Sequence, residues 1–356
     1  MNLNEKNNKK VVIGMSGGVD SSVAALLLKQ TGYDVIGVTM ILWQKENDTS
    51  IDDAKKVADK LDIPFYSIDL RKEFKNFVID NFSKEYIGGK TPNPCIECNK
   101  HLKFELLLQK AKELFNADYI ATGHYARIKQ LENGRYTIQN SVTAQKDQTY
   151  ALYNLTQDQL AYTLMPVGAY TKDEIREIAE HIQLPVAHKQ DSQDICFIPD
   201  GDYAGFIKRE TGAEFKLGNF VDIEGNILGQ HKGIIHYTVG QRKGLGLTAP
   251  TPLFVKELRP DANEVVICQS EQLFETECYV KDMNYMGMAE LSMGEEVEAI
   301  GKVRYSHKGA LCKLSLLEDG RVLCRFDEPQ RAMTPGQAAV FYKDDYVLCG
   351  GTIDRK

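Results

Sequence analysis

The run Ser16, Gly17, Gly18, Val19, Asp20, Ser21, Ser22 constrains this chain more than any other stretch, because it separates the strand-like VVIGM from the helix-like VAALLLKQ. Two glycines let the backbone turn tightly and present its amides. The helix that follows adds the partial positive charge of its unpaired N–H groups, so the turn forms an anion nest suited to phosphate. Hydroxyls of Ser16, Ser21 and Ser22 can add donors, and Asp20 can orient a Mg2+ carried by the phosphates. The plain alternative is a serine cap on an ordinary βα turn. The loop lacks the GK[ST] ending of the Walker P-loop, so it offers no lysine to bridge β and γ phosphates, and it is not GxGxxG.

A turn of this kind sits on a parallel sheet, and the surrounding pattern supplies one. From residue 10 to about 125, β-branched runs (KVVIGMS, DVIGVTMIL, FYSIDL, DYIATGHYA) alternate with amphipathic ones (SSVAALLLKQ, DDAKKVADKL, HLKFELLLQKAKELF). That alternation implies right-handed βαβ units and an α/β fold with a sheet covered on both faces. ARIKQLENGRYTIQNS reads as a hairpin turned at Asn133 and Gly134, and Thr171 with Glu174 as a capping box. After about residue 205 the texture becomes short alternating runs between turns. The expected organisation is a catalytic α/β domain over 1–205, a small central mostly-β domain over 206–275 and a C-terminal β-barrel over 276–356.

No apolar run approaches the ~20 residues of a membrane span, and MNLNEKNNKK lacks the apolar core of a secretion signal. The expectation is a cytoplasmic protein with no membrane role. The formal net charge is −7, so a nucleic acid would have to be held by local patches. Two stretches without acids fit that need. One, 229–248, carries Lys232, Arg242 and Lys243 with His231 and His236; the other, 301–317, carries Lys302, Arg304, Lys308 and Lys313. Both can neutralise phosphates, although small basic runs are also common on solvated faces. Tyr305 beside Arg304 offers a stacking surface for an unstacked base.

The chain has 8 cysteines, and in a reducing compartment most serve as core filler. Cys95 and Cys98 form a CxxC ahead of a helix expected near His101, whose N-terminal N–H groups would favour a thiolate. Half a zinc site from Cys95, Cys98 and His101 is the alternative. Cys196, taken singly, reads as a buried thiol.

SGGVDSS resembles the PP-loop of the N-type ATP pyrophosphatases, which cleave ATP between the α and β phosphates and transfer AMP to an oxygen of the substrate. Seven blocks narrow the resemblance: SGGVDSS at 16–22, NPCIECN at 93–99, ATGHYAR at 121–127, KDQTY at 146–150, DSQDICF at 191–197, GQRKGLG at 240–246 and TPGQAAVFY at 334–342. Their order and spacing are similar to those of the tRNA-specific 2-thiouridylase family, over nearly the whole chain. The resemblance implies a PP-loop (adenine nucleotide alpha-hydrolase-like) domain, a small central domain and a C-terminal β-barrel. It also implies ATP and Mg2+, a tRNA bound through its anticodon stem-loop, and a sulfur-carrier protein or cysteine desulfurase as persulfide donor. The implied reaction replaces O2 of the wobble uridine (U34) by sulfur.

By the same resemblance, Cys196 bears the persulfide and Cys98 is the second catalytic cysteine. Gly14, Met15, Ser16, Gly17, Gly18, Val19, Asp20, Ser21, Met40 and Gly123 correspond to ATP contacts, although spacing alone makes Met40 core packing. Asn93, Pro94 and Cys95 face the target base, and His124, Lys146, Asp147, Gln148, Arg304, Tyr305 and Gln337 contact tRNA. Cys95 stands where some members carry Asp, which leaves any general base unassigned. Cys95, Cys98 and Cys196 can alternatively hold three irons of a 4Fe–4S cluster. Two other functions fit parts of the pattern: a PP-loop ligase that passes ammonia to an adenylated substrate, and an inactive tRNA-binding scaffold.

Overall fold

The computed structural model describes residues 9–43, 48–189 and 195–355. The expectations for the first residues and for Asp191 to Asp194 of the DSQDICF block lie outside them. Alternating elements open the chain: β1 (Lys10–Gly14), α1 (Val19–Gln30), β2 (Asp34–Ile41), α2 (Ser50–Leu61), β3 (Phe65–Asp69) and β4 (Tyr119–Ala121). A hairpin follows, β5 (Ala126–Gln130) and β6 (Tyr136–Asn140), and then the short strand β7 (Thr163–Leu164). The first sheet has the order β3-β2-β1-β4-β7, and every pairing in it is parallel. Val11, Val12 and Ile13 of β1 are fully buried because helices cover both faces. Since β1 has β2 on one side and β4 on the other, the winding reverses there, and a crevice opens at the carboxyl ends of these strands.

Two long helices complete this part. One covers 71–87 and contains a π-helical turn, Lys75–Ile79; the other covers 94–115 and is π-helical over Cys98–Leu106. The second helix begins at Pro94 rather than near His101, because Asn93 Oδ1 caps the Cys95 amide at 3.1 Å and Pro94 occupies the first helical position. That Asn-Pro start signal is present in the sequence. The two π-helical stretches meet where the Phe77 ring stacks on His101, with centroids 4.6 Å apart and planes at 17°.

Two β structures follow the helix Tyr203–Thr211, whose Phe206 and Ile207 are buried with Phe82 and Phe197. The strands β8 (Gly218–Val221), β9 (Ile227–His231), β10 (Phe254–Arg259) and β11 (Glu264–Cys268) form a sheet of order β10-β11-β8-β9. The barrel uses β12 (Phe274–Tyr285), β13 (Glu296–Lys302), β14 (Ala310–Leu316), β15 (Val322–Arg331), β16 (Ala338–Lys343) and β17 (Tyr346–Asp354). Its order β12-β15-β14-β13-β16-β17 is closed by the β12–β17 pairing, which removes the free edges. Cys278, Cys312, Cys324 and Cys349 are free thiols buried in its core.

The hairpin turns as its sequence indicates, with Gly134 at φ +81°. It then joins the barrel, through the Tyr346 to Gln139 register on β17 and through Arg135, which donates to the Met286 carbonyl at 3.0 Å. The first and last parts of the chain are thereby fastened together. The basic stretches carry less free charge than their composition suggests. His231 is 1% exposed, with its ring between the Gly233 amide and the Asn263 carbonyl, and burial lowers its pKa. Lys313 pairs with Glu296 at 3.0 Å.

Candidate active site

At the switch point lies a cavity of about 360 Å3. Its wall is built from the carboxyl ends of three neighbouring strands: Gly14 to Ser16 after β1, Thr39 and Met40 at the end of β2, and Thr122 to His124 after β4. Asp20 and Ser21 of α1 form its floor, and Leu42, Trp43 and Ile51 give it an apolar flank beside the polar one. Such a lining suits a ligand with a flat apolar ring at one end and anionic groups at the other.

The loop has the geometry of a phosphate cradle. Gly17 has φ +69°, and a Cβ there would lie 2.2 Å from the Ser50 carbonyl oxygen; a Cβ on Gly123 would lie 2.7 Å from the Ser21 amide nitrogen. Only glycine lets these backbones approach so closely. No side chain caps the start of α1 at Gly18, so its first N–H groups are left for an anion. Val19 points into the core at 3% exposure, so its part in such a site is limited to its backbone. The hydroxyls divide. Ser16 Oγ lies 3.4 Å from Ser21 Oγ beside the cavity, whereas Ser22, expected as a further donor, is fully buried and donates to the Gly18 carbonyl at 2.7 Å. One helical turn carries Ser22 to the core face.

Asp20 is engaged by two groups that local sequence does not link to it. Lys172 donates to its carboxylate at 2.7 and 2.9 Å, and the Tyr125 hydroxyl donates to Oδ1 at 2.8 Å. Lys172 opens the helix Lys172–His181, which starts with the expected Thr171–Glu174 capping box. Its side chain is 11% exposed and that of Asp20 is 29%. Replacing Lys172 by Met leaves a half-buried carboxylate without its cation, so an equilibrium urea titration should show a loss of about 1–3 kcal/mol.

Cys196 lines the same cavity as the glycine-rich loop. The chain on its far side is pinned by Phe197 and Ile198, which are 3% and 1% exposed and pack against Phe74, Phe82 and Phe206. Cys98 is buried, and burial pushes its thiol up to about 11, with smaller rises from Cys196 and Cys95. The thiol of Cys196 is likewise raised, first by burial and then by Cys95. These influences move ionisation of both thiols to higher pH than that of an ordinary thiol. They also correct the expectation of a thiolate favoured by a helix N-terminus: the helix begins at Pro94, so Cys98 sits inside it and desolvation prevails. The cation that opposes the rise at both thiols is Lys103, which lines the cavity.

The remaining expected residues fall into three settings. His124 and Gln148 line the cavity itself. His124 Nδ1 lies 2.8 Å from Thr122 Oγ1, and burial with the nearby Lys103 ammonium holds the ring well below the usual histidine pKa, so it is neutral. The Gln148 side chain accepts from the Tyr125 amide at 2.8 Å. A second group joins the barrel to the α/β domain: Tyr305, half-exposed, donates to the Asp147 carbonyl at 3.0 Å, and its hydroxyl pKa is raised by burial, then by Asp147, with a smaller push from Cys95. Asp147 uses its carboxylate on the Ser141 and Thr149 amides, so its role in this structure is to shape the loop that also carries Lys146. Arg304 donates to the Arg331 carbonyl at 2.9 Å. The third group is Asn93, which lines a separate polar cleft of about 530 Å3 beside Gly336 and Ala338, and Gln337, which donates to the Thr91 carbonyl.

Three family models match the chain in succession: a tRNA methyl transferase HUP domain over residues 9–200, a tRNA methyl transferase PRC-barrel domain over 204–269 and an aminomethyltransferase beta-barrel domain over 275–353. A protein of Lachnoclostridium phytofermentans named tRNA-specific 2-thiouridylase MnmA is 57% identical over 357 aligned positions, covering 97% of this chain and 99% of the relative. The chain belongs to the MnmA family. MnmA proteins of Clostridium perfringens and Clostridioides difficile are 54% and 50% identical, with 97% and 98% of this chain covered and 98% and 99% of theirs. Sequence reading of this MnmA-family chain missed Lys103, Thr39, Tyr125 and Lys172. The first was legible only as one more residue of an amphipathic helix, and the last lies 152 positions from the carboxylate it clasps.

Proposed function

We propose that this protein is a tRNA sulfurtransferase that thiolates the wobble uridine (U34) at position 2, using ATP to activate O2 and a cysteine persulfide to deliver sulfur. The observation that carries the reading is the convergence of Cys196 and the glycine-rich loop on one cavity. The relatives' shared name supports tRNA as the substrate.

In this reading the loop amides and Ser16 and Ser21 hold the phosphates of ATP, while Thr39, Met40 and Trp43 receive the base. O2 of uridine attacks the α-phosphorus and pyrophosphate leaves, making C2 electrophilic and the oxygen a good leaving group. Cys98, as its thiolate, displaces hydrosulfide from the Cys196 persulfide and forms a Cys98–Cys196 disulfide. Hydrosulfide adds at C2, AMP departs with the original oxygen, and a two-electron reductant restores both thiols. Tyr305, Arg304 and Lys146 serve the anticodon stem-loop near Cys95, and a sulfur-carrier protein or cysteine desulfurase reloads Cys196. Mg2+ travels with the phosphates, and Asp20 and Asp48 are the carboxylates that line the cavity for it; direct ligation by Asp20 requires Lys172 to release it.

A 4Fe–4S cluster receives no support from the donor set. Among the described residues no three histidine, cysteine, aspartate or glutamate side chains are disposed to hold a metal ion, so no step is assigned to iron. The α/β, central and barrel parts fit a catalytic unit with a tRNA clamp over 1–205, 206–275 and 276–356. No helix among the described residues is long and apolar enough to cross a membrane, which is compatible with a cytoplasmic enzyme.

The products of ATP test this reading. With tRNA, ATP, Mg2+ and a persulfide source, the protein should release AMP and pyrophosphate, and omission of tRNA should suppress that release. Formation of ADP, or AMP release indifferent to tRNA, would overturn it.

A further inference from the structure

The catalytic scheme asks Cys98 to act as an anion, yet its surroundings are those of a neutral thiol. It packs among Leu102, Phe74, Val78, Phe82, Tyr86 and Phe197. The titratable groups whose charge bears on it are Cys95 and Lys103 on its own helix and Cys196 on the 195–198 segment, and Tyr86 of the 71–87 helix lies in the same apolar cluster. Lys103 is the one cation in this set. It is also the one lysine or arginine lining the adjoining cavity among the described residues, and among those residues it forms no ion pair.

In a regular helix residue 103 would point away from residue 98. At about 100° per residue, positions five apart on an α-helix point roughly 140° away from each other. The stretch Cys98–Leu106 is π-helical, however, and its i→i+5 hydrogen bonding stacks residue 103 over residue 98 as i→i+4 bonding stacks neighbours in an α-helix. The Phe77–His101 stack buttresses this wider turn against the π-helical turn of the neighbouring helix.

We infer that Lys103 is a positioning residue for sulfur transfer: its ammonium, carried on the face of Cys98 by the π-helical turn, favours conversion of that thiol to its reactive anion. The inference rests on the sulfurtransferase reading for its purpose, but its geometry and its test stand apart from that reading. The direction of the effect is fixed. Burial and the neighbouring thiols raise the Cys98 pKa and Lys103 opposes them, so removing the ammonium must move ionisation to still higher pH.

The test is the pH dependence of alkylation of Cys98 by iodoacetamide, in which the thiolate displaces iodide from carbon after the thiol proton passes to solvent. Peptide mass spectrometry follows Cys98, with exposed Cys95 on the same helix as an internal reference, in the full-length protein without ATP or tRNA. Lys103→Met and Lys103→Gln should each slow alkylation of Cys98 about tenfold at pH 8 and shift its pH profile upward by about one unit. Lys103→Arg should stay within about threefold of the unaltered protein. Profiles that superimpose on the unaltered one would overturn the inference, as would a Cys98 that resists alkylation even at the alkaline end of the profile, where Cys95 is fully reactive. A fall in ATP affinity with an unchanged profile would overturn it too, by making Lys103 a phosphate ligand. Because no thiolation is required, a protein that modifies no tRNA would defeat the functional reading while this measurement still decides the role of Lys103.

Discussion

Cys196→Ser should abolish tRNA thiolation, lowering the single-turnover rate at least about a thousandfold, while tRNA-dependent pyrophosphate release persists. Serine preserves the shape of the side chain but cannot carry a persulfide, so only the sulfur branch of the reaction is removed. The position tolerates the change structurally, because Phe197 and Ile198, not Cys196, anchor the segment in the core. Quench-flow measurement of both products separates the two half-reactions. An ammonia-transferring ligase that merely shares the loop would be untouched by this substitution, and an inactive scaffold would release no pyrophosphate in the first place.

Gly17→Val should remove nucleotide binding, raising the ATP dissociation constant at least about a hundredfold. Two costs combine. A side chain at φ +69° is strained by about 1–3 kcal/mol, and its Cβ would lie 2.2 Å from the Ser50 carbonyl oxygen, so either the loop or the start of α2 must move. Gly134→Ala supplies the control: it has φ +81° but meets nothing within 4 Å, so it bears strain without a clash, far from the cavity. Isothermal titration calorimetry should therefore find normal ATP affinity in Gly134→Ala and none in Gly17→Val. Normal affinity in both would mean that the loop does not cradle the phosphates.

What was legible in the sequence, and what was not, follows from the range of the interactions. The strand–turn–helix around SGGVDSS, the Asn133–Gly134 hairpin and the Thr171 capping box are local, and each forms where its own residues place it. The destination of the hairpin is not local. Its join to β17 is set by a register between residues 139 and 346, and periodicity says nothing about such partners. The same limit hid the Lys172–Asp20 pair.

At the thiols the shortfall was one of environment. CxxC ahead of a helix suggested an activated thiolate, but the Asn93 cap moves the helix start to Pro94 and carries Cys98 into an apolar cluster. Desolvation then raises the pKa that a helix terminus would have lowered. The π-helical turn was invisible for a related reason: HLKFELLLQKAKELF has ordinary helical periodicity, and a wider turn within it changes which side chains share a face without changing that pattern.

The most direct measurement is mass spectrometry of nucleosides from unmodified tRNA incubated with the protein, ATP, Mg2+ and a persulfide source. A 2-thiouridine derived from the wobble position, dependent on ATP and missing with Cys196→Ser, is the predicted result. TRNA that emerges with every uridine still carrying oxygen at C2, although the protein is folded and binds ATP, would contradict it.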